Sequence, residues 1–191
     1  MTLRKIGIFG GTFDPIHHAH LILARDALEA LKLEQVIFVP AAASPHKLDQ
    51  KLAPSDVRLE MLRAAIDSEP GFGFDPMELQ RSAPSYAVET IEAFRQREPE
   101  AELFYLIGED NVDRLKTWHR FAELSQMVQF VVLDRSGEKT EHPYRAIRRH
   151  LDISATNIRK RVASGHSIRY LVPSGVEEII RDRHLYRELQ K

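Results

Sequence analysis

Short apolar runs alternate with longer stretches of helical periodicity along most of this 191-residue chain, and that alternation is what most narrows its fold. "KIGIF" gives way to a helical stretch from about His18 to Lys32, with Leu21, Ala24, Leu28 and Leu31 on one stripe. "VIFVP" is followed by "PSDVRLEMLRAAIDS", where Val57, Met61 and Ala64 face one way. "PSYAVETIEAFRQR" is a third helix, stopped by Pro99, and "AELFYLIG" and "MVQFVVLD" are two more strands of the fully buried type. "ISATNIRKRVASG" and "PSGVEEIIRDRHLY" close the chain as helices. Strand and helix in turn mean βαβ units. The expected fold is therefore α/β, a doubly wound parallel sheet with helices on both faces. A single domain over 1–191 is expected, with a small C-terminal helical section from about 154 to 191. No internal repeat interrupts this order. Asp134–Pro143 reads as a surface loop, and Ser44–Ser55 as a stretch mobile enough to act as a lid.

Composition removes several classes of function. The chain has no cysteine, which excludes disulfides, thiolate nucleophiles and cysteine-held zinc. A formal net charge of -1 gives no basic excess for a nucleic-acid or anionic-membrane surface. No apolar run approaches the roughly 20 residues needed to span a bilayer, and "MTLRKIGIFGG" enters a strand without a signal-type segment. The expectation is a soluble, cytoplasmic protein without nucleic-acid or membrane partners. Its sequence leaves a homo-oligomer open.

In an open parallel sheet the ligand sits beyond the carboxyl ends of the strands. "GTFDPIHHAH", Gly11 to His20, lies just there after the first strand. A dinucleotide fingerprint would need G-x-G-x-x-G and an acidic residue closing the second strand, which ends "FVPAAA" instead. Zinc is weakly supported, because His17 and His20 are spaced i, i+3 without a third ligand or a glutamate base nearby. Phosphate explains more of the residues. Gly10 and Gly11 let the backbone approach a ligand, the first helical turn offers free amides, and two imidazoles there can donate to phosphate oxygens. Downstream, in "ISATNIR", Ser154 or Thr156 can cap a helix while offering donors. Arg159 falls one turn below Thr156, which suits the outer phosphates of a nucleoside triphosphate.

These two stretches resemble the paired signatures of the nucleotidylyltransferase superfamily, G-x-F-D-P-x-H-x-G-H and I-S-S-T-x-I-R. Ala19 stands where the first usually has glycine, and Ala155 replaces a serine of the second. Further blocks, "SPHK", "APSYAVETI", "IGEDNVDRLKTWHRFAEL" and "SIRYLVPSGVEEIIRDRHLY", are similar to the bacterial nicotinate-nucleotide adenylyltransferase family. The resemblance implies a Rossmann-like fold and transfer of AMP from ATP to nicotinate mononucleotide. That makes nicotinate adenine dinucleotide and pyrophosphate in NAD biosynthesis, with Mg²⁺ carried mainly by the ATP phosphates and no metal site of protein ligands.

The resemblance also implies roles. His17, His20 and Arg159 are the catalytic candidates. ATP would be met by Gly10, Gly11, Thr12, Phe13, His17, His20, Lys47, Gly108, Asp110, Ile153, Ser154, Thr156 and Arg159. The mononucleotide would be met by His46, Ser85, Tyr86, Thr90, Trp118, His119 and Arg135. The first amides of the "PSYAVET" helix would hold its carboxylate, favouring the acid over the amide. Left to composition alone, Trp118 is an anchor of the core and Ser85 a simple helix cap. The alternatives are nicotinamide mononucleotide or phosphopantetheine as acceptor, a non-catalytic ATP-binding module, and a zinc-dependent hydrolase.

Overall fold

In a computed structural model the described residues are 3–42, 52–81, 84–137 and 141–187. Six strands form one sheet in the order β3-β2-β1-β4-β5-β6. They are β1 (Lys5–Gly11), β2 (Gln35–Pro40), β3 (Phe72–Phe74), β4 (Glu102–Gly108), β5 (Gln129–Asp134) and β6 (Arg145–Arg148). Every neighbouring pair is parallel. The strand order reverses between β1 and β4, so a crevice opens there at the carboxyl ends.

The helices are α1 (His18–Leu31), α2 (Ser55–Ile66), α3 (Ala87–Arg97), α4 (Phe121–Met127), α5 (Ala155–Ala163) and α6 (Ser174–Asp182). Two core clusters cover the two sheet faces. Along β4, Phe104 and Leu106 point into the cluster shared with α1, α2 and α6. Leu103, Tyr105 and Ile107 point into the one shared with α3 and α4. The period-2 alternation of a strand therefore hides both sets of side chains, which is why "LFYLI" reads as one unbroken apolar run.

The structure moves several expected details. The buried stripe of α1 is Ala19, Leu23, Ala24, Ala27 and Leu31, while Leu21 and Leu28 are only partly covered. On α2, Met61 and Leu62 are buried and Ala64 is not part of the sheet-facing stripe. Ala64 instead meets α6, where a Cβ at Gly175 would lie 3.3 Å from its methyl. The third helix begins at Ala87, and Ser85 is not its cap. Edge strand β3, "FGF", is too short and β6, "RAIR", too polar to announce itself in sequence. Two 3₁₀ segments, Met77–Gln80 and Glu109–Thr117, precede α3 and α4. Ser44–Lys47 falls outside the described residues, as does most of the stretch read as a lid.

Candidate functional site

The buried polar side chains among the described residues are Asp14, His17, Arg58, Glu78, Ser85, Thr90 and Asp134. Asp14, His17, Glu78, Ser85 and Thr90 come after strands β1 and β3, Asp134 closes β5, and Arg58 reaches the loop after β1 from α2. Burying polar groups is costly unless each is satisfied, so their concentration at one edge marks the functional end of the molecule.

The loop after β1 supplies the first cluster. His17 is the N-cap of α1, and its ring stacks on His20 with centroids 3.6 Å apart and planes 14° apart. The His17 backbone N–H donates to His20 Nδ1 at 3.3 Å. An accepting Nδ1 fixes the His20 proton on Nε2, leaving that N–H as the outward donor. Burial, with the charge of Arg135 added, pushes His20 down to about 3. Burial likewise holds His17 well below the ordinary histidine value, helped by His20 and Arg135. Both imidazoles are neutral donors at pH 7. Parallel stacked rings do not converge their nitrogens on one metal ion, and among the described residues no group of three or more His, Cys, Asp or Glu is placed to hold one. The zinc reading has no support here.

The second motif reaches the first directly. Ser154 caps α5, accepting from Asn157 N–H at 3.2 Å. Arg159 donates to the Asp14 carbonyl at 2.7 Å and to Thr156 Oγ1 at 3.4 Å. Arg135 donates to the Ile153 carbonyl at 2.8 Å. Arg135, expected beside the mononucleotide, stands near the histidines and the α5 start.

Gly10 and Gly11 do more than open the backbone to a ligand. A Cβ at Gly10 would come within 2.5 Å of the Tyr105 hydroxyl, and one at Gly11 within 3.0 Å of the Phe13 ring. The protein's own aromatic rings claim that space. Phe13 is itself buried, edge-on to Phe9, Phe38 and His20, so only its backbone is left to face a ligand. At Gly108 the Asp110 carboxylate folds back over the backbone, and a Cβ there would lie 2.6 Å from it.

Beyond Gly10 to Thr12 a cleft of about 610 Å³ runs between the ends of β1 and β4. Ser85, Tyr86, Asp110, Trp118 and His119 line it. Trp118 packs edge-on against Tyr105 and Phe130 while facing the cleft, and its buried indole N–H has no partner among the described residues. It is both anchor and wall. Tyr86 and His119 pair across the rim with ring centroids 4.5 Å apart. Tyr86 is the N-cap of α3 and gives no side-chain cap, though its carbonyl accepts the Glu89 N–H at 3.2 Å. Thr90 does not line the cleft. It is fully buried and its hydroxyl donates to Glu78 at 2.7 Å.

Four supporting residues escaped the sequence reading. Arg58, 1 % exposed, donates to the carbonyls of Thr12 and Ala41, each at 2.8 Å, and of Ala53 at 3.1 Å. Asp14 accepts from Tyr186 Oη–H at 2.5 Å and from Ala53 N–H at 3.4 Å. Glu78 and Tyr105 form part of the cleft floor. Arg58 was visible in principle, as a charge at i+1 and i−3 to the buried Val57 and Met61. Asp14 lay inside the first signature without a role being read for it, and Glu78 and Tyr105 carried no signal before the chain was folded.

A nucleotide-binding crevice at the strand-order switch, with two phosphate-type helix starts hydrogen-bonded together, defines a nucleotidyltransferase. Residues 8–161 match the cytidylyltransferase-like family model. A probable nicotinate-nucleotide adenylyltransferase of Geobacillus thermodenitrificans is 44% identical over 187 residues, 96% of this chain and 87% of that one. The Bacillus subtilis nicotinate-nucleotide adenylyltransferase is 37% identical over 187 residues, covering 96% and 99%. The fold is shared with a Plasmodium falciparum nicotinic acid mononucleotide adenylyltransferase complexed with NaAD, with a TM-score of 0.79, 18% identity, and 96% and 98% coverage. The chain belongs to the cytidylyltransferase-like family and, within it, to the nicotinate-nucleotide adenylyltransferases.

Proposed function

We propose that this enzyme transfers AMP from ATP to nicotinate mononucleotide, giving nicotinate adenine dinucleotide and pyrophosphate. The observation that carries the reading is the junction of the two motifs, Arg159 on the Asp14 carbonyl at 2.7 Å. It brings the α5 start to the loop bearing His17 and His20, so one triphosphate can be gripped from both.

The acceptor's 5′-phosphate oxygen attacks the α-phosphorus, a new P–O bond forms, and the bond to the bridging oxygen breaks as pyrophosphate leaves. No covalent enzyme intermediate is needed, so alignment and electrostatics dominate. His20 Nε2–H and His17 face the α-phosphate and the bridging oxygen. Neutral imidazoles suit this task, since they stabilise developing charge without holding the product by a full salt bridge. Arg159, Ser154, Thr156 and the Ile153 backbone take the leaving pyrophosphate. Gly10 to Phe13 present backbone to the nucleotide, with Gly108 and Asp110 beside it. Lys47 and His46, outside the described residues, remain assigned to the phosphates and the mononucleotide respectively. Mg²⁺ is proposed to ride on the ATP oxygens, where it neutralises triphosphate charge.

The pyridine ring is assigned to Trp118, with Tyr86 and His119 at the rim and its carboxylate at the first amides of α3. Ala87, the first residue of α3, lines the cleft with Tyr86 and Trp118, which supports this placement. The test follows the label. With ATP labelled at the α-phosphate, the label should appear in the dinucleotide, whereas γ-label should leave as pyrophosphate. Appearance of α-label as free AMP without dinucleotide would mean hydrolysis and overturn the transfer.

A further inference from the structure

Glu78 is a buried carboxyl group that the phosphate chemistry leaves unused. It sits on the 3₁₀ segment Met77–Gln80, 5 % exposed, and lines the cleft with Ser85, Tyr86, Ala87 and Trp118. Thr90 Oγ1–H donates to its Oε1 at 2.7 Å. Ser85 accepts the Ala42 N–H at 3.3 Å and stands near enough to Glu78 to favour its ionised form. The Thr90 hydroxyl hydrogen is thus spent inward, and the Ser85 oxygen is engaged by Ala42. What remains for an anionic ligand there is the main-chain end of the helix, beside a second carboxyl group.

We infer that Glu78 is a specificity-determining residue: it holds the start of α3 in place through Ser85 and Thr90, and it takes up a proton from solvent when a carboxylate-bearing pyridine binds. The inference rests on the proposed placement of the nicotinate ring. Two carboxylates in one water-poor cleft cannot both stay ionised at low cost. Burial already raises the Glu78 carboxyl above its ordinary value, opposed by the hydrogen bonds from Thr90 and Ser85. Of the charges facing it, Arg81 favours the ionised form and Glu89 opposes it. On the β4 side stands the buried Tyr105 hydroxyl, held un-ionised. The proton goes to the carboxyl oxygen and returns to solvent when the ligand leaves. An amide ring brings no second charge and draws no proton. The acid is thereby favoured by the helix end and made pH-sensitive by Glu78.

The experiment is calorimetric titration of the full-length protein with nicotinate adenine dinucleotide and, separately, with its nicotinamide counterpart. It is run in buffers of different ionisation enthalpy from pH 6 to 8.5. Wild type should take up close to one proton with the acid and none with the amide. Its acid affinity should then fall by up to about tenfold per pH unit as pH rises, the slope that one linked proton sets. Glu78→Gln keeps an acceptor for Thr90 and Ser85 but carries no charge, so proton uptake should vanish and acid affinity should become flat with pH. Thr90→Val removes a bond favouring ionised Glu78, so the pH dependence should move upward. Equal proton uptake in wild type and Glu78→Gln, no uptake in wild type, or an unmoved profile in Thr90→Val would overturn the inference while leaving the substrate assignment intact. Failure of the acid dinucleotide to bind any of the three proteins would overturn both.

Discussion

At the scale of single residues the decisive fact is a pair of neutral imidazoles. His20 offers its Nε2–H because its Nδ1 accepts the His17 N–H. Removing one such donor at a transition state typically costs about 100-fold to 1000-fold in turnover. His20→Ala should lose that much kcat while melting close to wild type. Near-normal turnover would take the residue out of the chemistry. Trp118 makes a different prediction: Trp118→Ala should raise KM for the mononucleotide more than KM for ATP. Equal effects on both would assign the ring to the core alone. The histidines also set a pH dependence of stability. Their folded-state values are depressed, His20 to about 3, so the unfolded chain binds the extra protons first as pH falls. Their contribution is full above the unfolded value of about 6.5 and is lost on going down toward pH 3. Thermal melting should therefore fall through that window, and replacing both histidines by Asn should shallow the fall.

At the scale of elements, the loop after β1 is held from behind. Arg58 of α2 feeds the carbonyls of Thr12, Ala41 and Ala53, and Tyr186, beyond α6, closes on Asp14. Coulombic attraction to Asp14 partly offsets the burial that lowers the Arg58 value. A hydrogen bond to a charged group contributes about 1.5–3 kcal/mol, so Tyr186→Phe should lower stability by that order in urea unfolding. No measurable loss would mean the C-terminal tyrosine is not a fastening. Ala19 gives a second test, because its methyl is fully buried inside α1. Ala19→Gly should cost about 1 kcal/mol or more, from helix propensity and lost packing. The motifs at each end of this arrangement were legible in sequence, since "GTFDPIHHAH" and "ISATNIR" carry their chemistry in consecutive residues. The braces between them were not. Arg58, Asp14 and Tyr186 meet only through folding, and Thr90 reads as a cleft residue until its hydroxyl is seen to turn toward Glu78.

At the scale of the whole molecule, the alternation of apolar runs and helical periods determined the doubly wound sheet. It could not show the edge strands β3 and β6, whose pairing comes from their neighbours rather than from their own residues. The switch between β1 and β4 puts the phosphate loop and the Trp118 cleft at one carboxyl-end crevice. Arg135, expected at the mononucleotide, follows β5 and donates to the Ile153 carbonyl just ahead of α5. Among the described residues no helix is long and apolar enough to cross a membrane. The central claim is that this crevice joins ATP to an acidic pyridine mononucleotide. The most direct measurement is pyrophosphate release with ATP and Mg²⁺, offering nicotinate mononucleotide, nicotinamide mononucleotide and phosphopantetheine in separate reactions. The account predicts a kcat/KM for nicotinate mononucleotide well above that for either of the others. Equal use of the two mononucleotides would contradict the role given to the start of α3, and no release with any acceptor would contradict the reaction itself.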